Sequence, residues 1–182
     1  FSQISKTLKS ENLIEQFGVS VRAPSDLEGV SFEFIDWVEL NFNLMDMRFL
    51  VNGKLLALLK KNNVRIIART PLAIGFLTSQ GMADQDIQKP TSHLRNWSVE
   101  QIAVWRGGAE KFKEYASGIG LSIEELALSF CASIAEVDRV IPGAMKPDHI
   151  NLNYSNTVQL PQTVINDLRQ IYRENNFYVQ KK

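Results

Sequence analysis

VRIIARTPLAIGFL, residues 64–77, decides the fold. Val64, Ile66, Ile67 and Ala68 form a near-continuous apolar run of the kind a strand buried on both faces requires. Arg69, Thr70 and Pro71 end the strand abruptly, and Gly75 lets the backbone approach another group closely. A buried strand that gives way to a tightly turned polar loop is where α/β folds place their ligands.

The 182 residues suffice for one domain with a core, but fall short of the roughly 250 of a closed (β/α)8 barrel. Lys plus Arg and Asp plus Glu balance at 20 each, so no global field points to nucleic acid or to an anionic membrane. No apolar run approaches a membrane span and no signal peptide is visible, so a cytoplasmic protein is expected. Cys131 stands alone in the apolar stretch LALSFCASI and reads as a buried structural thiol. His93 and His149 have no carboxylate or cysteine at metal-ligand spacing, so no metal site is expected.

Outward from the central stretch, residues 13–21, 37–43 and 137–141 also read as strands. Helical patterns fill the intervals. Ile4 and Leu8 share a face before the first strand, and Pro24 opens a short helix at 25–28. Residues 53–61 carry Leu55, Leu56, Leu58 and Leu59, with Lys60 and Lys61 suiting the C-terminal end of the dipole. Ser98 with Gln101 and Ser122 with Glu125 have capping-box spacing. The first of those helices is expected to break at Gly107-Gly108. Pro147 fits a first helical turn, and Pro161 starts an amphipathic helix carrying Val164, Leu168, Ile171 and Tyr172. The polar stretch 78–96 is too long for a simple connector, and 176–182 reads as a loose tail. The alternation implies an α/β fold with right-handed βαβ units and a parallel sheet.

Four landmarks in order, FGVSV, WVELNFNLMDMR, VRIIARTPLAIGFLTS and RVIPGAMKPDHINLN, resemble the C-terminal half of the aldo-keto reductases. These are (β/α)8-barrel oxidoreductases that use NADPH or NADH without metal or flavin. The resemblance implies that residues 1–182 form a single domain, a parallel (β/α) half-barrel corresponding to strands 5–8 of a TIM barrel plus C-terminal helices. It also implies the cofactor-binding residues. Ser20 and Glu39 would meet the nicotinamide carboxamide, and Phe42 would stack on the nicotinamide. Arg69, Thr70, Leu72 and Gly75 would form the pyrophosphate loop. Gly143, Lys146, His149 and Asn153 would hold the adenosine phosphate and adenine, with Lys146 the candidate partner of a 2′-phosphate.

Departures from the family pattern carry information too. Val21 replaces an Asn, Met145 a basic or hydroxyl residue, His149 a Gln and Leu152 a Glu. Glu39 replaces a Gln. An ionised carboxylate only accepts hydrogen bonds, so it can answer only the NH2 side of a carboxamide. Its charge would favour the oxidised, positive nicotinamide by about 3 kcal/mol at about 5 Å before desolvation. The alternative is an ion pair with a barrel arginine. Phe42 has an alternative as a core aromatic, Arg69 as a member of a barrel ion pair, and Gly143 as a turn glycine needing positive φ.

The family's catalytic Asp, Tyr, Lys and His belong to the first four strands, which this chain lacks. No catalytic residue is therefore assigned, and the chain alone is not expected to reduce a carbonyl. Phe1 falls within a helical pattern, as the interior of a longer protein would. The expected function is NADP- or NAD-dependent carbonyl reduction by a parent of which this is the cofactor-binding half, with a small carbonyl compound as substrate. The alternative is a non-catalytic half-barrel that binds a nucleotide or a partner. An open four-stranded sheet with two free edges and an apolar inner face is expected to form a homo-oligomer, to complete a barrel with a missing N-terminal half, or to aggregate.

Overall fold

The computed structural model describes residues 2–81, 87, 89, 92–144, 146–155 and 157–179, less the side chains of 93, 96, 154 and 155. The elements are α1 (Ser2–Ser10), β1 (Gly18–Val21), β2 (Trp37–Asn41), α2 (Arg48–Val51), α3 (Gly53–Lys61), β3 (Arg65–Arg69), α4 (Val99–Gly118), α5 (Ile123–Ser133), β4 (Arg139–Ile141), α6 (Pro147–Ser155) and α7 (Gln162–Glu174). The strands pair in chain order, β1-β2-β3-β4, and every pair is parallel. The fold is therefore the α/β type that the alternation implies. After β1, a 3-10 turn (Pro24–Leu27) stands in place of a full helix.

Two aspartates fix the register where the strands begin. The Asp36 carboxylate accepts the Phe17 N–H at 2.6 Å and the Lys9 ammonium at 2.6 Å, tying β2 to the approach of β1 and to α1. Asp138 repeats the device, accepting the Ile66 N–H at 2.8 Å. Each aspartate thus supplies an acceptor just before its own strand, where the ladder has not yet begun.

Burial along the strands corrects the sequence reading. β3 alternates: Ile66 and Ala68 are buried while Arg65, Ile67 and Arg69 are half-exposed, and β2 does the same. One face of the sheet, with Val21, Val38, Leu40, Ile66 and Ala68, belongs to the core. The other carries Ser20, Trp37, Glu39, Asn41, Arg65, Ile67, Arg69, Arg139 and Ile141. It is polar and cationic rather than apolar. The apolar run misleads because Ile67 alone breaks the polar alternation of Arg65 and Arg69.

The core face meets α5, whose Leu126, Ala127, Phe130 and Cys131 are fully buried. Ser122 and Glu125 form the capping box reciprocally. α4 runs unbroken through Gly107-Gly108, because Gly108 serves close packing rather than a bend. The stretch 78–96 lies partly outside the described residues, but Ile87 and Leu94 within it belong to the core. The tail is not loose at 177–179: Phe177 is buried and Gln101 holds the backbone on both sides of Tyr178. In α1 the expected apolar face is not buried, for Ile4 is exposed and Ser5 points inward.

Candidate functional site

In a parallel sheet all strands end on one edge, so the polar residues that close β1 to β4 stand side by side. Three groups form there. In the first, the Ser20 hydroxyl donates to Glu39 Oε1 at 3.0 Å, and Arg69 Nε lies 3.3 Å from the same oxygen. Arg69 Nη2 reaches across to the Val21 carbonyl at 2.9 Å. Ser20, Glu39 and Arg69 thus come together across three strands. The arginine answers the carboxylate, which is the ion-pair alternative for both residues.

The second group is the turn after β3. Thr70, Ala73, Ile74 and Gly75 all have positive φ (56°, 46°, 61° and 100°). Only the last is a glycine, and a β-branched Ile in this region is sterically costly. The N–H groups of Ala73, Gly75, Phe76 and Leu77 bond within the turn. Among the described residues, those of Leu72 and Ile74 have no intramolecular acceptor. The Thr70 hydroxyl donates to Asn41 Oδ1 at 3.1 Å, and Asn43 Nδ2 donates to the Thr70 carbonyl at 3.1 Å. Sequence reasoning missed Asn41 and Asn43, although two asparagines at a strand end were a visible signal of side-chain-to-backbone bonding.

The third group follows β4. Asn153 Nδ2 donates to the Gly143 carbonyl at 3.2 Å, folding α6 back onto the strand's exit. Gly143 does not have positive φ, and a Cβ there would meet nothing within 4 Å. The turn-glycine alternative therefore fails, and what the glycine leaves is open space. Lys146 is exposed and His149 half-exposed, on the first turns of α6; Met145 lies outside the described residues.

Phe42 requires a correction. Its ring is fully buried and stacks on Phe130 with centroids 5.5 Å apart and planes 20° from parallel. The alternation of β2 continues past Asn41, so residue 42 points to the helix layer rather than to the open end of the sheet. The Phe42 carbonyl also accepts the Cys131 thiol at 3.5 Å. Phe42 is the core aromatic of its alternative reading.

Two tyrosines, Tyr115 and Tyr178, are likewise spoken for. The Tyr115 hydroxyl donates to Asp167 at 2.8 Å, and burial together with that carboxylate pushes its pKa up to about 12. Tyr178 donates to Asp46 at 2.8 Å and is pushed further up, first by burial and then by the Asp46 charge. Among the described residues, no three His, Cys, Asp or Glu side chains cluster to hold a metal, and no helix is long and apolar enough to cross a membrane.

The sequence model of the Aldo/keto reductase family matches residues 3–173. The oxidoreductase YqkF of Bacillus subtilis (strain 168) is 26% identical over 165 residues, covering 89% of this chain and 51% of its own length. Among solved structures, the apo form of the aldo-keto reductase AKR11C1 from Bacillus halodurans superimposes with a TM-score of 0.72 at 17% identity, over 100% of this chain and 58% of the other. The glycerol dehydrogenase AKR11B4 from Gluconobacter oxydans gives 0.67 at 17% identity, over 99% and 55%. The structures establish likeness of fold. The chain spans about half the length of the curated relative it matches.

Proposed function

Because this chain belongs to the aldo/keto reductase family, we propose that it forms the dinucleotide-binding half of a (β/α)8-barrel oxidoreductase acting on small carbonyl compounds with NADP or NAD. The turn after β3 carries this reading. Its Leu72 and Ile74 N–H groups lack internal acceptors, and the step from right-handed Leu72 to left-handed Ala73 is the backbone pattern of an anion-binding nest. The open space above Gly143 and the start of α6 lie next to it, because β3 and β4 pair directly.

In this reading the Leu72 and Ile74 N–H groups bind the pyrophosphate, and Gly75 lets the backbone approach it closely. Asn41 and Asn43 orient Thr70, and Ser20 with Glu39 faces the carboxamide. Asn153 and His149 lie toward the adenine, and Lys146 is placed for a 2′-phosphate. The dinucleotide, when bound, supplies a hydride. No proton donor is assigned among the described residues, whose four-stranded sheet has free edges on β1 and β4. Here Tyr115 and Tyr178 are held protonated by burial and by neighbouring carboxylates, and are poor donors to a substrate.

The second reading, nucleotide binding without redox chemistry, is favoured by one observation. Phe42 is closed into the core and Glu39 is answered by Arg69, so two nicotinamide contacts are withdrawn while the phosphate donors stay open. Titration with NADPH and NADH, followed by fluorescence, tests both readings. Binding is expected, weaker by about tenfold for NADPH in Lys146→Ala if that residue meets a 2′-phosphate. Absence of binding to the folded chain at millimolar dinucleotide would end both readings.

A further inference from the structure

The tail after α7 is built into the edge of the sheet where the site lies. Phe177 packs between Phe112 and Tyr172, with ring centroids 5.7 and 5.8 Å away. The Gln101 amide clasps the backbone beside it: Nε2 donates to the Phe177 carbonyl at 2.8 Å, and Oε1 accepts the Val179 N–H at 2.8 Å. Tyr178 is thereby aimed at Asp46. Its hydroxyl donates to Oδ2 at 2.8 Å, and the Arg48 guanidinium lies 4.4 Å from its ring centroid.

Asp46 is the hub of three strand ends. It is 2% exposed and takes both Nε and Nη2 of Arg48 at 2.8 Å. Arg48 Nη2 also donates to the Arg22 carbonyl at 3.2 Å, one residue beyond β1. Asp46 and Asn43 exchange backbone hydrogen bonds at 3.0 and 3.3 Å, closing the tight turn that follows β2. Asn43, 5% exposed, then donates to the Thr70 carbonyl at the end of β3. The links from the Tyr178 hydroxyl to Thr70 are hydrogen bonds of 2.8 to 3.3 Å, the middle one between backbones, and the Asp46 and Asn43 side chains are buried. Removing one member deletes a buried hydrogen bond and loosens the link, although Arg48 still pairs with Asp46 and the Ala73 N–H still reaches the Thr70 carbonyl.

We infer that Tyr178, Asp46 and Asn43 are positioning residues for the dinucleotide phosphates. Docking of the tail fixes the turn after β2, and that turn holds Thr70 in its left-handed conformation. The donors at Leu72 and Ile74 therefore keep their aim only while the tail is seated. This rests on the dinucleotide reading above, but the seating of the turn can be measured without any ligand.

The test compares Tyr178→Phe and Asn43→Ala with wild type. Hydrogen exchange reads the amides of Ala73, Gly75 and Leu77, and fluorescence reads NADPH affinity. Tyr178→Phe keeps the ring and deletes only the hydroxyl. Both variants are expected to exchange about tenfold faster at those three amides and to bind NADPH about tenfold more weakly. Ser122→Ala removes the cap of α5 and is expected to lower Tm without moving either readout. Unchanged exchange in Tyr178→Phe overturns the inference, and so does faster exchange with unaltered NADPH affinity. A wild type that binds no NADPH overturns the dinucleotide reading together with this inference. A wild type that binds NADPH while Tyr178→Phe binds it equally overturns this inference alone.

Discussion

Gly108 lies against the edge of the Phe177 ring: a Cβ built on it would stand 2.7 Å from Cε1 and 2.8 Å from the Met45 sulfur. That contact joins the middle of α4 to the tail and to the turn after β2. Gly107, one residue earlier, would meet nothing within 4 Å. Gly108→Ala is therefore expected to destabilise by about 1–3 kcal/mol, less up to about 1 kcal/mol of gained helix propensity. Gly107→Ala is expected to stabilise by up to about 1 kcal/mol. Urea unfolding of the two variants checks the contrast. Equal shifts would mean that the close approach at Gly108 carries no energetic weight.

Asp36 gives the protein an acid-labile staple. Burial works to raise its pKa, but the Lys9 hydrogen bond, the Phe17 N–H and the nearby charges outweigh it and hold the carboxyl below its ordinary 3.8. A carboxylate lowered by folding stabilises above the unfolded pKa, and that stability is lost as pH falls through the folded value. Asp36→Asn is expected to cost about 1 kcal/mol near neutral pH, allowing for screening of a partly exposed pair. The gap from wild type should shrink below pH 3.8 as the native carboxyl itself protonates. Denaturant unfolding at neutral and acid pH checks it, and a constant gap would contradict the assignment.

Glu39 is expected to act weakly on the redox state of a bound nicotinamide. Unscreened, its charge would favour the oxidised form by about 3 kcal/mol, a factor of roughly 100. With Arg69 Nε at 3.3 Å, most of that field is cancelled. Replacing the pair together, Glu39→Gln with Arg69→Gln, should change the ratio of oxidised to reduced Kd by less than about threefold, whereas Glu39→Gln alone leaves the arginine's charge unanswered and should disfavour the oxidised form by more. A large change in the double variant, read by competitive titration, would show that the two fields do not cancel at the nicotinamide.

Cys131 should be chemically silent in the native state. It is fully buried, and burial raises its thiol pKa, which disfavours the reactive thiolate. Labelling by a thiol reagent is expected to be at least about 100-fold slower in buffer than in concentrated urea, tracking global unfolding. Rapid native labelling would place α5 away from the sheet.

Much of the architecture was legible because periodicity and punctuation are local properties. Ser122 and Glu125 announce the start of α5, Pro147 and Pro161 those of α6 and α7, and each lies where its own backbone requirement puts it. Strand lengths were less legible. Residues 13–17 resemble a strand in composition, yet pairing begins only at Gly18, where β2 offers a partner. The candidate site divides in the same way. Ser20, Glu39 and Arg69 do converge, but Phe42 turns away, because a single step past Asn41 reverses which face a side chain takes.

The chain's own sequence determined the order of strands and helices, the parallel sheet and the polar edge where the strands end. Each follows from spacing and residue type within a few positions. Only the tertiary structure decided what those groups do to one another: that Arg69 answers Glu39, that Phe42 belongs to Phe130, and that Tyr178 reaches Asp46 across 132 positions of chain. The physical reason is range. Backbone preference acts over one or two turns, whereas hydrogen bonds and packing depend on which distant side chains folding brings within a few ångströms.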